Sequence, residues 1–521
     1  MEVLCDSNSC PLGGVGVYNP GYWGMNIEEG KKYKVVLYVR STGDIDVSVS
    51  FTSSNGSVTL ASENIIALAS DLLNWTKKEM LLEANGTDNG ARLQFTTTKK
   101  GSIWFDQVSA MPMDTYKGHG FRNDLFQMMV DLKPRFIRFP GGCFVEGDWL
   151  GNAFRWKETV RAWEERPGHY GDVWKYWTDD GLGHFEFFQE AIDGIEFARG
   201  DSNSTWGSVR AAMGHPEPFE LKYVAVGNED CFKSYYRGNY LEFYNAIKKA
   251  YPDIKIISNC DASAKPLDHP ADYFDYHNLV IQIYTLARDL FSKSHDFDNT
   301  PRNGPKAFVS EYAVNKADAK NGNLLAALGE AAFLLGLEKN SDIVEMVSYA
   351  PLFVNTNDRR WIPDAIVFNS SHLYGTPSYW VQHFFTESSG ATLLNSTLKG
   401  KTSSVEASAI SFQTNGKDYI QIKAVNFGEQ SVNLKVAVTG LMAKFYGSKK
   451  KVLTSASVMD ENSFSNPNMI VPQESLLEMT EQEDLMFVLP PHSFSSFDLL
   501  TESENVIKMP ISDSYKKTST M

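Results

Sequence analysis

The sequence predicts a multidomain chain of α/β plus β type: a (β/α)8-type barrel, short of about two strands, flanked by two β-sandwich domains. Three observations predict it. Apolar and polar residues alternate with period two toward both ends of the chain, as in Tyr33-Lys-Val-Val-Leu-Tyr-Val39 and Tyr419-Ile-Gln-Ile-Lys-Ala-Val425. Between them, short apolar runs alternate with helical stretches, the pattern of parallel βα units. Four of those runs lead directly into polar or charged residues, and strand C-terminal ends are where such a barrel carries its chemistry.

The first domain is expected over residues 1–113. Ile45-Asp-Val-Ser-Val-Ser-Phe51 and Gly101-Ser-Ile-Trp-Phe-Asp-Gln-Val108 continue the alternation between Gly, Asn and Ser turns, which suits a β-sandwich. The barrel is expected over 114–385. Its strand runs are Arg135–Phe139, Lys222–Val226, Lys255–Ser258, Leu279–Tyr284, Ala307–Ser310 and Val344–Tyr349. A closed barrel of this type needs eight strands, so two are wanting. Leu324 to Leu337, interrupted by Gly329 and Glu330, reads as a buried core helix too short to span a bilayer. A second sandwich is expected over 386–500, with Ser431-Val-Asn-Leu-Lys-Val-Ala-Val438 and Ser493-Phe-Ser-Ser-Phe-Asp-Leu499 as strands. Residues 501–521 are polar and read as a loose tail.

Composition narrows the function. Hydrophobic residues make up 42% and charged residues 22%, with 32 Phe, 23 Tyr and 11 Trp, which argues against a disordered chain. A net charge of −15 repels phosphate backbones and anionic bilayers, so neither nucleic acid nor a membrane is expected as a partner. Cys5 and Cys10 are spaced to close a small loop if the protein is secreted, whereas Cys143, Cys231 and Cys260 read as buried or free thiols without zinc spacing. The N-terminus shows no basic region followed by an apolar run, so no signal peptide is visible. Asn-x-Ser/Thr sequons occur at Asn55, Asn74, Asn85, Asn203, Asn369 and Asn395, a pattern that suits a secreted glycoprotein. No phosphate loop, nucleophile elbow or HExxH helix is present, and no metal or organic cofactor is expected.

The chemistry concentrates at two strand-end glutamates, Glu229 in Tyr223-Val-Ala-Val-Gly-Asn-Glu-Asp230 and Glu311 in Phe308-Val-Ser-Glu-Tyr312. Glycoside cleavage uses such a pair: one carboxyl protonates the leaving oxygen while the other attacks or activates water, and a retaining pair stands about 5–5.5 Å apart. Asn228, beside Glu229, is suited to bond a sugar hydroxyl, and Arg138 to orient a carboxylate. The blander reading, capping or surface carboxylates, fits a lone Asn-Glu pair but not two motifs accompanied by Arg138-Phe-Pro-Gly-Gly142. Trp23, Trp104, Trp149, Trp174 and Trp361 are candidates for stacking on sugars, though core or wall positions suit most of them.

These segments resemble a plant-type α-L-arabinofuranosidase of glycoside hydrolase family 51. The resemblance rests on Gly118-His-Gly-Phe-Arg122, Pro134 through Glu146, Tyr170-Gly-Asp-Val-Trp174, Val224 through Cys231, Phe308 through Val314, and Val344 through Phe353. It implies retaining hydrolysis of terminal non-reducing arabinofuranosyl groups on arabinan or arabinoxylan-type cell-wall polysaccharide, outside the cell. It implies Glu229 as acid/base, Glu311 as nucleophile, and a carbohydrate-binding-module-like first domain. Three departures accompany it. The family's first barrel strand, bearing a Phe-Glu-Glu-Ile-Asn-His motif, has no counterpart here. A strand resembling Trp-Val-Phe-Asn-Asn-Gly is missing after Phe188. The family's His-x-Tyr is stretched to His277 and Tyr284, seven residues apart; Tyr284 keeps the expected spacing to Glu311, and His277 reads as a polar strand-edge residue. Both are carried as substrate-binding candidates. The losses predict unpaired strand edges, reduced stability and aggregation. They also raise a second reading, an inactive relative with at most carbohydrate binding.

Overall fold

The computed structural model describes residues 1–6, 10–118, 120–139, 141–145, 152–160, 162–181, 191–277, 284–400, 403–438, 443–477 and 485–501. The chain forms two compact units, the first comprising Met1–Asn259, Pro351–Gly375 and Ser463–Pro467, the second Cys260–Ala350, Thr376–Asn462 and Asn468–Met521.

The first unit opens with two antiparallel sheets. One runs in the order Glu2–Cys5, Gly101–Pro112, Lys32–Ser41, Thr76–Glu83; the other runs Val15–Asn19, Asp88–Thr97, Ile45–Thr52, Thr59–Ala67. The alternation seen in the sequence is what closes them: Val35, Leu37 and Val39 face the same core as Val47, Val49, Leu93 and Phe95. Cys5 and Cys10 are joined in a disulfide, as their spacing allowed.

Two parallel strands of the first unit, Tyr223–Val226 and Lys255–Ser258, pair Tyr223 with Lys255 and Val226 with Ser258. The helix Tyr236–Ala250 connects them. Arg135–Phe139, expected as a strand, is irregular, and Ile137 on it is 77% exposed. A strand is defined by the ladder it joins, and this segment is part of none of the ladders formed by the described residues.

In the second unit Tyr273–Asp275, Lys306–Val309 and Val344–Val347 form a parallel set. The run 279–284 expected as a strand lies outside the described residues except for Tyr284, which pairs with Ala313. The helix Leu324–Lys339 is buried on nearly every face, as its uniform apolarity predicts. Its glycines permit this: a Cβ at Gly329 would meet Ala287 O at 2.5 Å, and one at Gly336 would meet Ser294 O at 2.0 Å. Beyond it, a sheet ordered Thr392–Leu393, Val405–Thr414, Lys417–Asn426, Ser493–Thr501, Ala443–Thr454, Gln473–Leu476 shares a core with the pair Val432–Val436 and Leu485–Leu489. Glu338 of the helix accepts from Lys423 Nζ at 2.5 Å inside this unit, both side chains being buried.

No helix among the described residues is long and apolar enough to cross a membrane. Cys231 and Cys260, expected as thiols, are both in disulfide linkage, and Cys143 keeps its thiol. Spacing along the chain does not encode which cysteines oxidise.

Candidate functional site

In the first unit the site is built on the turn after Tyr223–Val226. Gly227 adopts φ +96°, and a Cβ there would meet Asp230 Oδ1 at 2.4 Å and Tyr236 Cε2 at 2.7 Å. Glu229 adopts φ +47°, a left-handed conformation that costs a non-glycine residue roughly 1–2 kcal/mol. Such strain persists where the surroundings over-determine it, and here they do. Tyr236 Oη donates to Val226 O at 2.8 Å and accepts from Asn259 N at 2.7 Å, tying the ends of both strands together. Asn259 Oδ1 in turn accepts from Asp230 N at 2.9 Å. Asn228 is buried and accepts from Arg138 Nη2 at 2.8 Å, so the guanidinium orients the amide. Cys143 Sγ lies 4.0 Å from Glu229 Oε2. The structure thus brings Arg138, Asn228 and Glu229 together. Tyr236 and Asn259 were not among the candidate site residues; Asn259 was visible in the sequence as a polar residue at the end of an apolar run.

In the second unit Glu311 follows Lys306–Val309 by two residues, and its side chain is only 16% exposed. His277, read from the sequence as a strand-edge residue, is buried, and its Nε2 stands 3.3 Å from Glu311 Oε2. The parallel strand ends at Asp275, not at Tyr284, so His277 lies just past a strand end beside Glu311. The ring's other nitrogen, Nδ1, is 3.4 Å from Asp275 Oδ2. Asp275 Oδ1 accepts from Ser310 Oγ at 2.6 Å. Tyr284 is near by register, its strand pairing in parallel with Ala313–Val314; its side chain lies outside the described residues.

Another buried carboxyl lies in the same unit. Glu330, on the core helix, accepts from Val314 N at 3.0 Å. Burial pushes it from 4.5 up to about 7. Tyr312 Oη donates to Gln382 Oε1 at 2.8 Å, and burial raises this phenol well above its ordinary value. Among the described residues no group of three His, Cys, Asp or Glu side chains is placed to hold a metal ion.

Known proteins resemble this chain over its length. The α-L-arabinofuranosidase 1 domain matches residues 128–190 and 185–302, and the α-L-arabinofuranosidase C-terminal domain matches 309–493. The break in the first match falls where the sequence departs from its family after Phe188. α-L-Arabinofuranosidase 2 of Arabidopsis thaliana is 93% identical over 554 positions, covering all of this chain and 82% of that protein. That span exceeds the chain's own 521 residues by 33 (554 − 521), so the relative carries internal residues that this chain lacks. α-L-Arabinofuranosidase 1 of the same plant is 72% identical over 100% of this chain and 81% of its own length. A solved arabinose-bound family 51 α-L-arabinofuranosidase superposes with a TM-score of 0.85 at 27% identity, over 96% of this chain and 87% of that one. The mixed α/β and β architecture read from the sequence is the fold of that structure.

Proposed function

The chain belongs to the α-L-arabinofuranosidases of glycoside hydrolase family 51, and we propose that it hydrolyses terminal non-reducing α-L-arabinofuranosyl groups with retained configuration. Glu311 attacks the anomeric carbon while Glu229 protonates the departing oxygen. Glu229 then takes a proton from water, which releases arabinose and restores Glu311. The steps use two carboxyl groups and water. Asn228, oriented by Arg138, bonds the sugar hydroxyl beside the reacting carbon, and Tyr284 and His277 complete the surroundings of Glu311.

The observation that supports the reading most is the way both glutamates are presented. Each sits just past the C-terminal end of a parallel strand, and each has polar neighbours that are themselves held. A capping carboxylate needs no such support. No observation favours the inactive alternative. Catalysis is assigned to 114–385, carbohydrate contact to the sandwich 1–113, and a supporting role to 386–500. The substrate is arabinan or arabinoxylan-type side chains of the cell wall, reached outside the cell. Five of the six sequon asparagines, all but Asn369, are exposed, which suits a glycoprotein. A 32% identical relative from Streptomyces chartreusis is named an extracellular exo-α-L-arabinofuranosidase.

The test is release of nitrophenol from 4-nitrophenyl α-L-arabinofuranoside by the purified chain, beside E311A and E229A. Activity is expected in the parent, with a loss of at least about a hundredfold in each variant. Azide, a nucleophile that needs no general base, should restore turnover of E229A with retained configuration. Undiminished turnover by E311A would end the assignment.

A further inference from the structure

We propose that Asp275 is a positioning residue for the Glu311 nucleophile, acting through the ring of His277. The proposal rests on the assignment of Glu311 given above and adds a residue that neither the motifs nor the comparisons single out.

The geometry is a row of groups within the second unit. Asp275 closes its strand and His277 follows two residues later, its ring lying between Asp275 and Glu311. Asp275 is fixed first: Ser310 Oγ donates to its Oδ1 at 2.6 Å, and Ser310 O accepts from Ser348 Oγ at 2.5 Å. Its second oxygen, Oδ2, faces His277 Nδ1 at 3.4 Å, and the opposite nitrogen, Nε2, faces Glu311 Oε2 at 3.3 Å. The side chains of His277 and Asp275 are 2% and 8% exposed, against 16% for Glu311, so both are more buried than the reacting group.

A carboxylate on a strand-end turn has rotamer freedom that a nucleophile cannot use. It must meet the anomeric carbon along one line, and a misplacement of about 1 Å costs roughly a hundredfold in rate. His277 restrains Glu311 only if its own ring is restrained. An imidazole has two nitrogens, and the partner of one decides what the other offers. Asp275 Oδ2 faces Nδ1 at ion-pair distance, so its charge favours a proton on that nitrogen, and Ser310, the residue before the nucleophile, locks Asp275. The nucleophile's own strand therefore fixes the group that fixes the nucleophile.

The test is a double-mutant cycle in the full chain with D275N, H277Q and D275N/H277Q, assayed on 4-nitrophenyl α-L-arabinofuranoside. D275N should lower kcat roughly 10- to 100-fold with KM changed less than about threefold. The double variant should be no slower than H277Q alone. A double variant whose loss is the product of the two single losses overturns the proposal, because Asp275 would then act independently of the ring. An unchanged kcat in D275N overturns it too. Should D275N not stay folded, S310A removes the lock while leaving both charged neighbours. It should slow the parent about threefold to tenfold and leave H277Q unaffected; a slowdown in the H277Q background overturns the proposal. Trapping with a 2-deoxy-2-fluoro arabinofuranosyl donor, followed by peptide mass spectrometry, separates the two levels. A label on Glu311 with multiplicative losses rejects only the role of Asp275. A label elsewhere rejects the nucleophile assignment, and this proposal with it.

Discussion

Glu229 and Gly227 show how much backbone strain the site carries in three residues. Both have positive φ, and the Gly227 position leaves no space for a Cβ against Asp230 and Tyr236. Tyr236 is the residue that ties the two strand ends, so pushing it away would release the turn that presents Glu229. G227A is therefore expected to cost about 1–3 kcal/mol of stability from the backbone alone. It should also lower kcat at least about tenfold, with a smaller effect on KM, since the acid/base group is displaced and not removed. Thermal melts and initial rates on the aryl arabinofuranoside check both. Wild-type kcat in G227A would show that the turn tolerates a Cβ and that the strain has no role. The sequence announced the Gly-Asn-Glu motif but not its conformation, because φ is set by the hydrogen bonds of Tyr236 and Asn259, which come from other elements. His277 was misjudged for a related reason. Tyr273–Asp275 is short, and the longer apolar run that follows it drew the strand assignment; only its register with Lys306–Val309 puts His277 beside Glu311.

The element that most shapes the second unit is the helix Leu324–Lys339. Its apolar faces were legible from composition alone, and Glu330 was visible as an interruption, but what holds its buried acids was not. Glu338 is neutralised by Lys423, whereas Glu330 has no such cation among the described residues and is held by Val314 N. Burial raises its carboxyl from 4.5 to about 7. Below pH 4.5 the group is protonated in the folded and unfolded chain alike, and it costs nothing. Between 4.5 and about 7 the unfolded chain releases the proton while the folded chain keeps it, so stability falls as pH rises. The accumulated loss is about 3 kcal/mol near neutrality. E330Q should remove this dependence, since the amide carbonyl still accepts from Val314 N and no charge has to be buried. The Tm gap between E330Q and the parent is expected to widen in favour of E330Q from pH 4.5 to pH 7. Asp364, which burial also pushes up to about 7, is present in both proteins and cancels in the difference. A gap independent of pH would mean that Glu330 does not titrate in this window.

At the scale of the whole chain, the β-sandwich strands were readable because period-two alternation is local, while the parallel strands were readable only where their partners exist. Lys255–Ser258 and Tyr273–Asp275 are almost wholly buried. Tyr223–Val226 is half-buried at best, with Ala225 exposed, and it lies at the edge of its sheet. Arg135–Phe139 has the composition of a strand but is in none of the sheets formed by the described residues. The 93% identical relative carries at least 33 residues absent here. An apolar side chain left in solvent on a segment of strand-like composition is a template for association with another chain. Ile137 is that side chain. I137K places a charge where edge-to-edge pairing would have to bury it, at little cost to the fold because the position is already in water. Its Tm should stay within about 2 °C of the parent. Static light scattering during a thermal ramp, and sedimentation after storage, should show onset of association at higher temperature and higher concentration than in the parent. Equal aggregation by I137K would move the weak edge elsewhere, with Tyr223–Val226 the next strand to charge.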